Sequence, residues 1–345
     1  MLNNKMIKSL IKYTVCITII ASVGVGIYYY QPRTLTSIAN LFLSKPILRI
    51  KVINFDSVYT PEEVEISVLH ELIREKYHIQ YVNRDFDMLI NGYHNDKPVP
   101  TDSKAIKIHY TSEVYVGDPK KHLETHDLVL GFDFIDRPNY IRLPFSYVRY
   151  TDKIRHDYDR NRGTCNPSAK KHFACFIVSN NGEWIDSHNF DGAFARTRLF
   201  HRLSLYKKVL SGGKHLNNVG KPIPYGKNED WVSECKFTIA YENTLNYPGY
   251  VTEKPFQAWF GGSVPIYDTH RAGLEDINPK AIIYGGDFES EEDLVEYIKK
   301  VDNDDKLYCD IWNEHIINNP DKDYNKLKDS IREKLNKIFD EKLKK

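Results

Sequence analysis

Residues 241–260 read YENTLNYPGYVTEKPFQAWF and set Glu253 and Lys254 side by side, directly before Pro255. The polar residues ahead of the pair suit the end of a strand, and the aromatics after it have helical spacing. Thr252 suits an N-cap, and Pro255 is tolerated in a first helical turn. At that end of a helix, free backbone N–H groups attract phosphate oxygens. Lys254 adds a point charge. Glu253 would repel a phosphate but suits the hydroxyls of a ribose, and Tyr250 could pack beside a base or a sugar. The plainer reading of the same residues is a helix start with an acidic first turn and a solvated lysine.

Other stretches carry chemistry of their own. SGGKHLNNVG, residues 211–220, combines glycines, asparagines, a lysine and a histidine. It reads as a loop whose amides could approach a polar ligand, or simply as a polar turn, and it has neither the P-loop nor the GxGxxG order. In HYTSEVYVGD, Glu113 follows an apolar run at a strand's C-terminal end, where open α/β sheets face their ligands. A carboxylate there could take a proton from a hydroxyl if burial raised its pKa. His94, His109, His122 and His126 read as surface or packing residues rather than metal ligands. Cys165, Cys175, Cys235 and Cys309 could form disulfides in an oxidising compartment, match no zinc spacing, and leave the pairing open.

The elements around these residues form an α/β pattern. Strand candidates ILRIKVINFD, FDMLINGY, AIKIHY, HDLVLGF and YIRLPF occupy the first half, with a helix predicted over residues 61–77. The second half offers KHFACFIVSN, CKFTIAYEN, SVPIYD and AIIYGG as strands, and helices over 194–209, from about 252, and over 291–301. The 345 residues suffice for two domains. The formal charge of +1, from 48 basic and 47 acidic residues, gives no support to a nucleic-acid binder. Residues 13–30 hold no charge, follow Lys5, Lys8 and Lys12, and as a helix would reach about 27 Å, close to a bilayer core. A membrane anchor is expected there, with a cleaved signal peptide as the rival reading.

Together these stretches resemble the α-1,3-fucosyltransferases, which transfer fucose from GDP-fucose. The resemblance covers roughly residues 106–308. Its strongest block is FTIAYEN followed by YVTEKPFQAWFGGSVPIYD. YKKVLSGGKHLNNVG, FACFIVSN, HYTSEVYVGD and DLVLGFDF with NYIRLPF follow the same family order.

The resemblance implies a GT-B-type α/β fold, two Rossmann-like domains facing a cleft, here with an N-terminal transmembrane helix. The expected division is a cytoplasmic tail (1–12), the transmembrane anchor (13–30), a short stem (31–46), an acceptor-side domain (47–155), a linker (156–171), a GDP-fucose-binding domain (172–322) and a helical tail (323–345). It further implies an inverting transferase that moves L-fucose from GDP-β-L-fucose to a glycan hydroxyl, with an α-1,3 linkage expected. Glu113 matches the general base. Arg196 and Lys254 match phosphate contacts, Glu253 a ribose contact, and Asn243 and Tyr250 the donor site. Arg198 is an alternative to Arg196, because residues 182–194 form an insertion before the helix.

No obligatory metal is expected, although a divalent cation could stimulate turnover. Asp302, Asp304 and Asp305 read as a solvated helix end. Expected partners are GDP-fucose, an oligosaccharide or glycoconjugate acceptor, and the membrane, but no nucleic acid. The expected setting is a single-pass type II membrane protein, Golgi-like if eukaryotic. Acceptor choice would fall to loops at 83–104 and 115–125. Alternatives are a transferase for another nucleotide sugar and a catalytically weak glycan-binding protein.

Overall fold

The computed structural model describes residues 44–55, 66–92, 97–100, 104–111, 113, 119–149, 163–179, 190–224, 226–317 and 320–343. It divides into two compact units. Residues 1–131, 137–141 and 328–345 make the first, and residues 132–136 and 142–327 the second.

The first unit is built on strands β1 (Ile47–Ile53), β2 (His78–Tyr81), β3 (Met88–Asn91), β4 (Ile106–Tyr110), β5 (Leu128–Gly131) and β6 (Tyr140–Arg142), in sheet order β2-β1-β3-β4-β5-β6. All pairings from β2 to β5 are parallel. Every residue of β3, β4 and β5 is buried, as expected of a parallel sheet covered on both faces. Helix α1 (Ser67–Lys76) turns Val68, Leu69, Leu72 and Ile73 into this core. The rest of the helix predicted over 61–77 lies outside the described residues on its N-terminal side, up to residue 65.

In the second unit the order is α2 (Phe145–Arg149), β7 (His172–Phe176), α3 (Asp191–Tyr206), β8 (Val209–Ser211), α4 (Asn228–Val232), β9 (Cys235–Ile239), α5 (Lys254–Phe260), β10 (Val264–Tyr267), β11 (Ile283–Tyr284), α6 (Glu291–Asn303) and α7 (Asp305–Asn313). The sheet order is β11-β10-β9-β7-β8, parallel throughout. Phe176, Leu199, Phe237, Ile266 and Ile298 form the centre of its main hydrophobic core. Two Rossmann-like units are what the GT-B type predicts. Asp302 corrects one expectation: it is not solvated but buried, in ion pairs with Lys236 (2.8 Å) and Lys207 (2.5 Å).

The chain closes with α8 (Pro320–Lys342), 23 residues long. Tyr324, Ile331, Leu335 and Phe339 line its buried side. Within the first unit, Lys328 and Arg332 reach Glu71 and Glu75 of α1, and Phe339 meets Tyr77 edge-on at 5.2 Å.

The membrane expectations are corrected here. Among the described residues no helix is long and apolar enough to cross a membrane. The longest, α8, carries charges along its length, and desolvating them in hydrocarbon would be too costly. The transmembrane helix, the signal-anchor, the membrane as a partner, and the type II, Golgi-like localisation are therefore not retained. The tail at 1–12, the anchor at 13–30 and residues 31–43 of the stem lie outside the described residues, as do residues 156–162 of the linker.

Two disulfides lie in the second unit, Cys165–Cys309 and Cys175–Cys235. The second joins β7 to its sheet neighbour β9, while the first closes a separation of 144 residues. Replacing Cys165 and Cys309 together by serine is expected to lower the unfolding free energy by about 2–4 kcal/mol, through a less restricted unfolded chain. Denaturant titration of both forms measures it, and an unchanged midpoint would show that the crosslink carries no stability.

Candidate active site

The polar cluster of the second unit forms at the C-terminal ends of its central strands. Beyond β9 and β10 the pairing continues, since Ala240 N donates to Ile266 O (2.8 Å) and Glu242 N to Asp268 O (3.0 Å). The N-terminus of α3 abuts this extension: Ala193 N donates to Asn243 O (3.1 Å), and Asp191 accepts from Leu245 N (2.9 Å). Gly192 is required there, because a Cβ would come within 2.2 Å of Glu242 O. One helical turn later, Arg196 donates from Nη1 to Asn243 Oδ1 (2.8 Å) and to Tyr241 O (3.4 Å).

Glu242 is the centre of this cluster and was not singled out from sequence. Its side chain is fully buried. Oε1 accepts from Thr252 N (2.7 Å) and Tyr267 OH (3.0 Å). Oε2 accepts from Thr252 Oγ1 (2.8 Å) and Lys254 Nζ (3.0 Å), and Nζ also donates to Thr252 Oγ1 (2.8 Å). Four donors on one carboxylate compensate its lost hydration. Desolvation works against the charge on Lys254, but Glu242 and then Glu253 outweigh it, so its pKa lies above the ordinary lysine value. Burial lowers Arg196 to about 10, with Glu242, Tyr250 and Glu253 opposing the shift, and the guanidinium stays charged at neutral pH.

The structure thus brings Arg196, Asn243, Glu253 and Lys254 into one neighbourhood, with Tyr250 behind them. Tyr250 is 1% exposed, and its ring packs edge-on against Phe132 at 5.3 Å rather than lying open to a ligand. Glu253, not Thr252, occupies the N-cap position of α5, with no capping hydrogen bond from its side chain, and the Thr252 hydroxyl is engaged with Glu242. With seven residues, α5 contributes little dipole. Arg198, the alternative to Arg196, is exposed and pairs with Glu291 (3.3 Å) on the flank of α3. Of the expected insertion at 182–194, residues 182–189 lie outside the described residues. One residue past β10, burial raises the carboxyl of Asp268 to about 7 despite a hydrogen bond from Thr269 N (2.9 Å).

The loop SGGKHLNNVG is a self-bonded turn. Gly212 N and His215 N donate to Phe176 O and Val178 O (2.9 and 3.0 Å). Asn218 bridges Ser211 N and Val209 O (2.8 and 2.9 Å), and a Cβ on Gly213 would overlap Val178. The two amides hold the end of β8 against β7 and its continuation, and Asn218 braces β8 itself.

Glu113 belongs to the first unit, three residues past β4, and is half-buried. Thr111 anchors its backbone: Thr111 N donates to Leu130 O (3.0 Å), and Thr111 Oγ1 donates to Glu113 O (3.0 Å).

In the same unit His109, His122 and His126 come together, with ring nitrogens within 4.8 Å of one another, a spacing from which a metal ion could be held. The parallel register of β4 and β5 creates this grouping, which sequence spacing did not show. The hydrogen bonds describe a different arrangement. Backbone contacts of Lys97 orient Asn54 (2.8 and 2.9 Å), and Asn54 Nδ2 donates to Asn91 Oδ1 (2.8 Å). Asn91 Nδ2 therefore faces His109 Nδ1 (3.1 Å) and makes that nitrogen an acceptor, which leaves the ring proton on Nε2. The His109 and His122 rings stack at 3.7 Å and 21°, so their in-plane lone pairs do not converge. Metal binding would require both the stack and the Asn91 contact to rearrange. His94 lies outside the described residues.

The model of glycosyltransferase family 10 (fucosyltransferase), C-terminal part, matches residues 167–335. An α-(1,3)-fucosyltransferase of Helicobacter pylori is 27% identical over 308 residues, 81% of this chain and 62% of that protein. A putative fucosyltransferase of Acanthamoeba polyphaga mimivirus is 37% identical over 150 residues, 41% of this chain and 25% of that protein. The chain thus spans less than two thirds of the length of these relatives. A crystal structure of an α1,3-fucosyltransferase with GDP-fucose matches with a TM-score of 0.62 at 24% identity, covering 84% of this chain and 92% of that one, which shows the shared fold.

Two outcomes follow from this geometry. Glu242→Ala leaves the Lys254 ammonium without its buried partner and is expected to cost about 3 kcal/mol of stability, against about 1 kcal/mol for Tyr267→Phe, both read by denaturant titration. For the histidines, burial first and then the neighbouring imidazoles lower His109 to about 2 and His126 to about 4. Both folded values lie below the unfolded value near 6.5, so the unfolded chain binds more protons below that pH. Stability from His126 is complete above pH about 6.5 and declines as pH falls toward about 4; His109 extends the decline toward about 2. Tm measured from pH 7 to 4 should fall less steeply in His126→Gln than in the wild-type chain, and parallel curves would remove the histidines from the acid response.

Proposed function

We propose that this chain is a member of glycosyltransferase family 10, the fucosyltransferases, whose C-terminal model matches residues 167–335, and that it transfers L-fucose from GDP-β-L-fucose to a sugar hydroxyl of a glycan, with inversion and an α-1,3 linkage. The observation that carries this reading is the buried Glu242 network, which holds Lys254 at a fixed position in the neighbourhood of Arg196. Two fixed cations at the strand ends of a Rossmann-like unit suit a diphosphate leaving group.

The roles follow from the groups present. The acceptor hydroxyl attacks the anomeric carbon from the face opposite GDP, and Glu113 takes its proton as the new bond forms, so the β-linked donor becomes an α-linked product. Arg196 and Lys254 stabilise the charge growing on the diphosphate. A diphosphate leaves without a strong protonating acid. Glu253 holds the ribose hydroxyls. Asn243 fixes the Arg196 guanidinium, and Tyr250, packed on Phe132, shapes the donor loop from behind.

The test is a product-mass screen of the full chain with GDP-fucose, GDP-mannose and UDP-sugars against lactosamine-type, N-glycan-core and simple sugar acceptors. The expected outcome is fucose transfer from GDP-fucose. Glu113→Gln should lower kcat about 100-fold or more while GDP-fucose binding is kept; Lys254→Ala should weaken binding and turnover together. Preferential transfer from another donor would overturn the donor assignment, and wild-type turnover by Glu113→Gln would remove Glu113 as the base.

A further inference from the structure

Phe134 is an apolar ring left 47% exposed beside the donor loop. Single exposed hydrophobic side chains are ordinary on protein surfaces. What distinguishes Phe134 is how firmly it is held. The Arg142 guanidinium lies 4.4 Å from its ring centroid and covers one face. Arg142 is itself fixed at four points: Nε donates to Phe132 O (2.9 Å), Nη1 to Asp276 Oδ1 (2.7 Å), and Nη2 to Asp276 Oδ2 (2.6 Å) and Gly249 O (3.2 Å). Arg142, the last residue of β6, falls with all of these partners in the second unit.

The ring also sits against the donor loop itself. Gly249 has φ +81, and a Cβ there would come within 2.3 Å of Phe132 O and 3.0 Å of the Phe134 ring. Gly249 immediately precedes Tyr250, four residues before Glu253. The loop that carries the donor contacts is therefore tied through Arg142 to an aromatic side chain that stays 47% exposed.

Resting on the fucosyl-transfer reading above, we propose that Phe134 is the platform on which a pyranose ring of the acceptor glycan stacks. The C–H face of a pyranose is apolar while its hydroxyls point outward. Stacking on an aromatic face buries that apolar surface and leaves the hydroxyls free to bond or react. A ring already immobilised on a guanidinium loses little conformational freedom when the sugar arrives. Arg142 and Asp276 are positioning residues in this arrangement, and Phe134 is the contact.

The experiment measures steady-state kinetics of the full chain with GDP-fucose and N-acetyllactosamine, comparing wild type, Phe134→Ala, Phe134→Trp and, as a control, Leu205→Ala, which removes another exposed side chain (90% exposed). Phe134→Ala is expected to raise the acceptor KM about five- to tenfold, with the GDP-fucose KM and the acceptor-free hydrolysis of GDP-fucose unchanged. Phe134→Trp should keep the acceptor KM within about twofold, and Leu205→Ala should change nothing. An unchanged acceptor KM in Phe134→Ala, or an equal rise in the GDP-fucose KM, would overturn the proposal; the latter would place the ring against the donor.

Failure of the wild-type chain to transfer fucose would count against the reaction. Saturation-transfer NMR of N-acetyllactosamine with the chain in the presence of GDP then decides the platform separately. A signal lost in Phe134→Ala supports it, and a signal kept in that variant, or missing from the wild-type chain, overturns it.

Discussion

A carboxylate with no contact to water is tolerable only when donors surround it, and the candidate donor site depends on one that meets this condition. Glu242 lies three residues beyond β9 and receives the backbone and hydroxyl of Thr252, the phenol of Tyr267 and the ammonium of Lys254. These partners come from the loop before α5, from the first residue of α5 and from the end of β10. One side chain therefore sets the distance between two strand ends and the entry to a helix. Lys254 inherits its position from that arrangement rather than from its own four-carbon stem. Arg196 is placed by the neighbouring residue in the chain, Asn243, so the two cations are positioned by adjacent residues of the same strand extension.

The placement explains why α3 begins where it does. Its first turn is bonded to the same extension through Ala193 and Asp191, and Gly192 permits an approach that a side chain would block. Site and scaffold share one set of contacts here. A shift of α3 along its axis would move Arg196 and break the bonds that orient Asn243. The SGGKHLNNVG turn plays the same part on the other side, bonding β8 to β7.

Much of this was legible in the sequence where a pattern is local. The parallel strands read as short apolar runs, α1 and α6 as amphipathic spacings, and Glu253 and Lys254 as a helix entry. Features made by distant partners were not legible. Nothing in YEN distinguishes a fully buried Glu242 from a polar strand end, because Thr252 and Tyr267 stand 10 and 25 residues away. His109, His122 and His126 scatter along the chain and meet only through the β4–β5 register. Asp302 read as solvated because its lysine partners lie on α3's C-cap and on β9. In SGGKHLNNVG the composition fits a turn or a ligand loop, and only the hydrogen bonds show that its backbone amides and asparagines are engaged within the fold, while Lys214 stays exposed.

The Glu242 network has a consequence for encounter with an anionic ligand. Within the cluster, two cations, Arg196 and Lys254, stand with two carboxylates, Glu242 and Glu253. Their formal charges cancel, and the chain as a whole carries only +1. Four such groups leave no net formal charge from which an anion could be steered at long range. Attraction emerges only at contact distance, where each ammonium or guanidinium is felt singly. The arrangement of the donors, rather than a surplus of charge, is then what such a cluster offers to an anion.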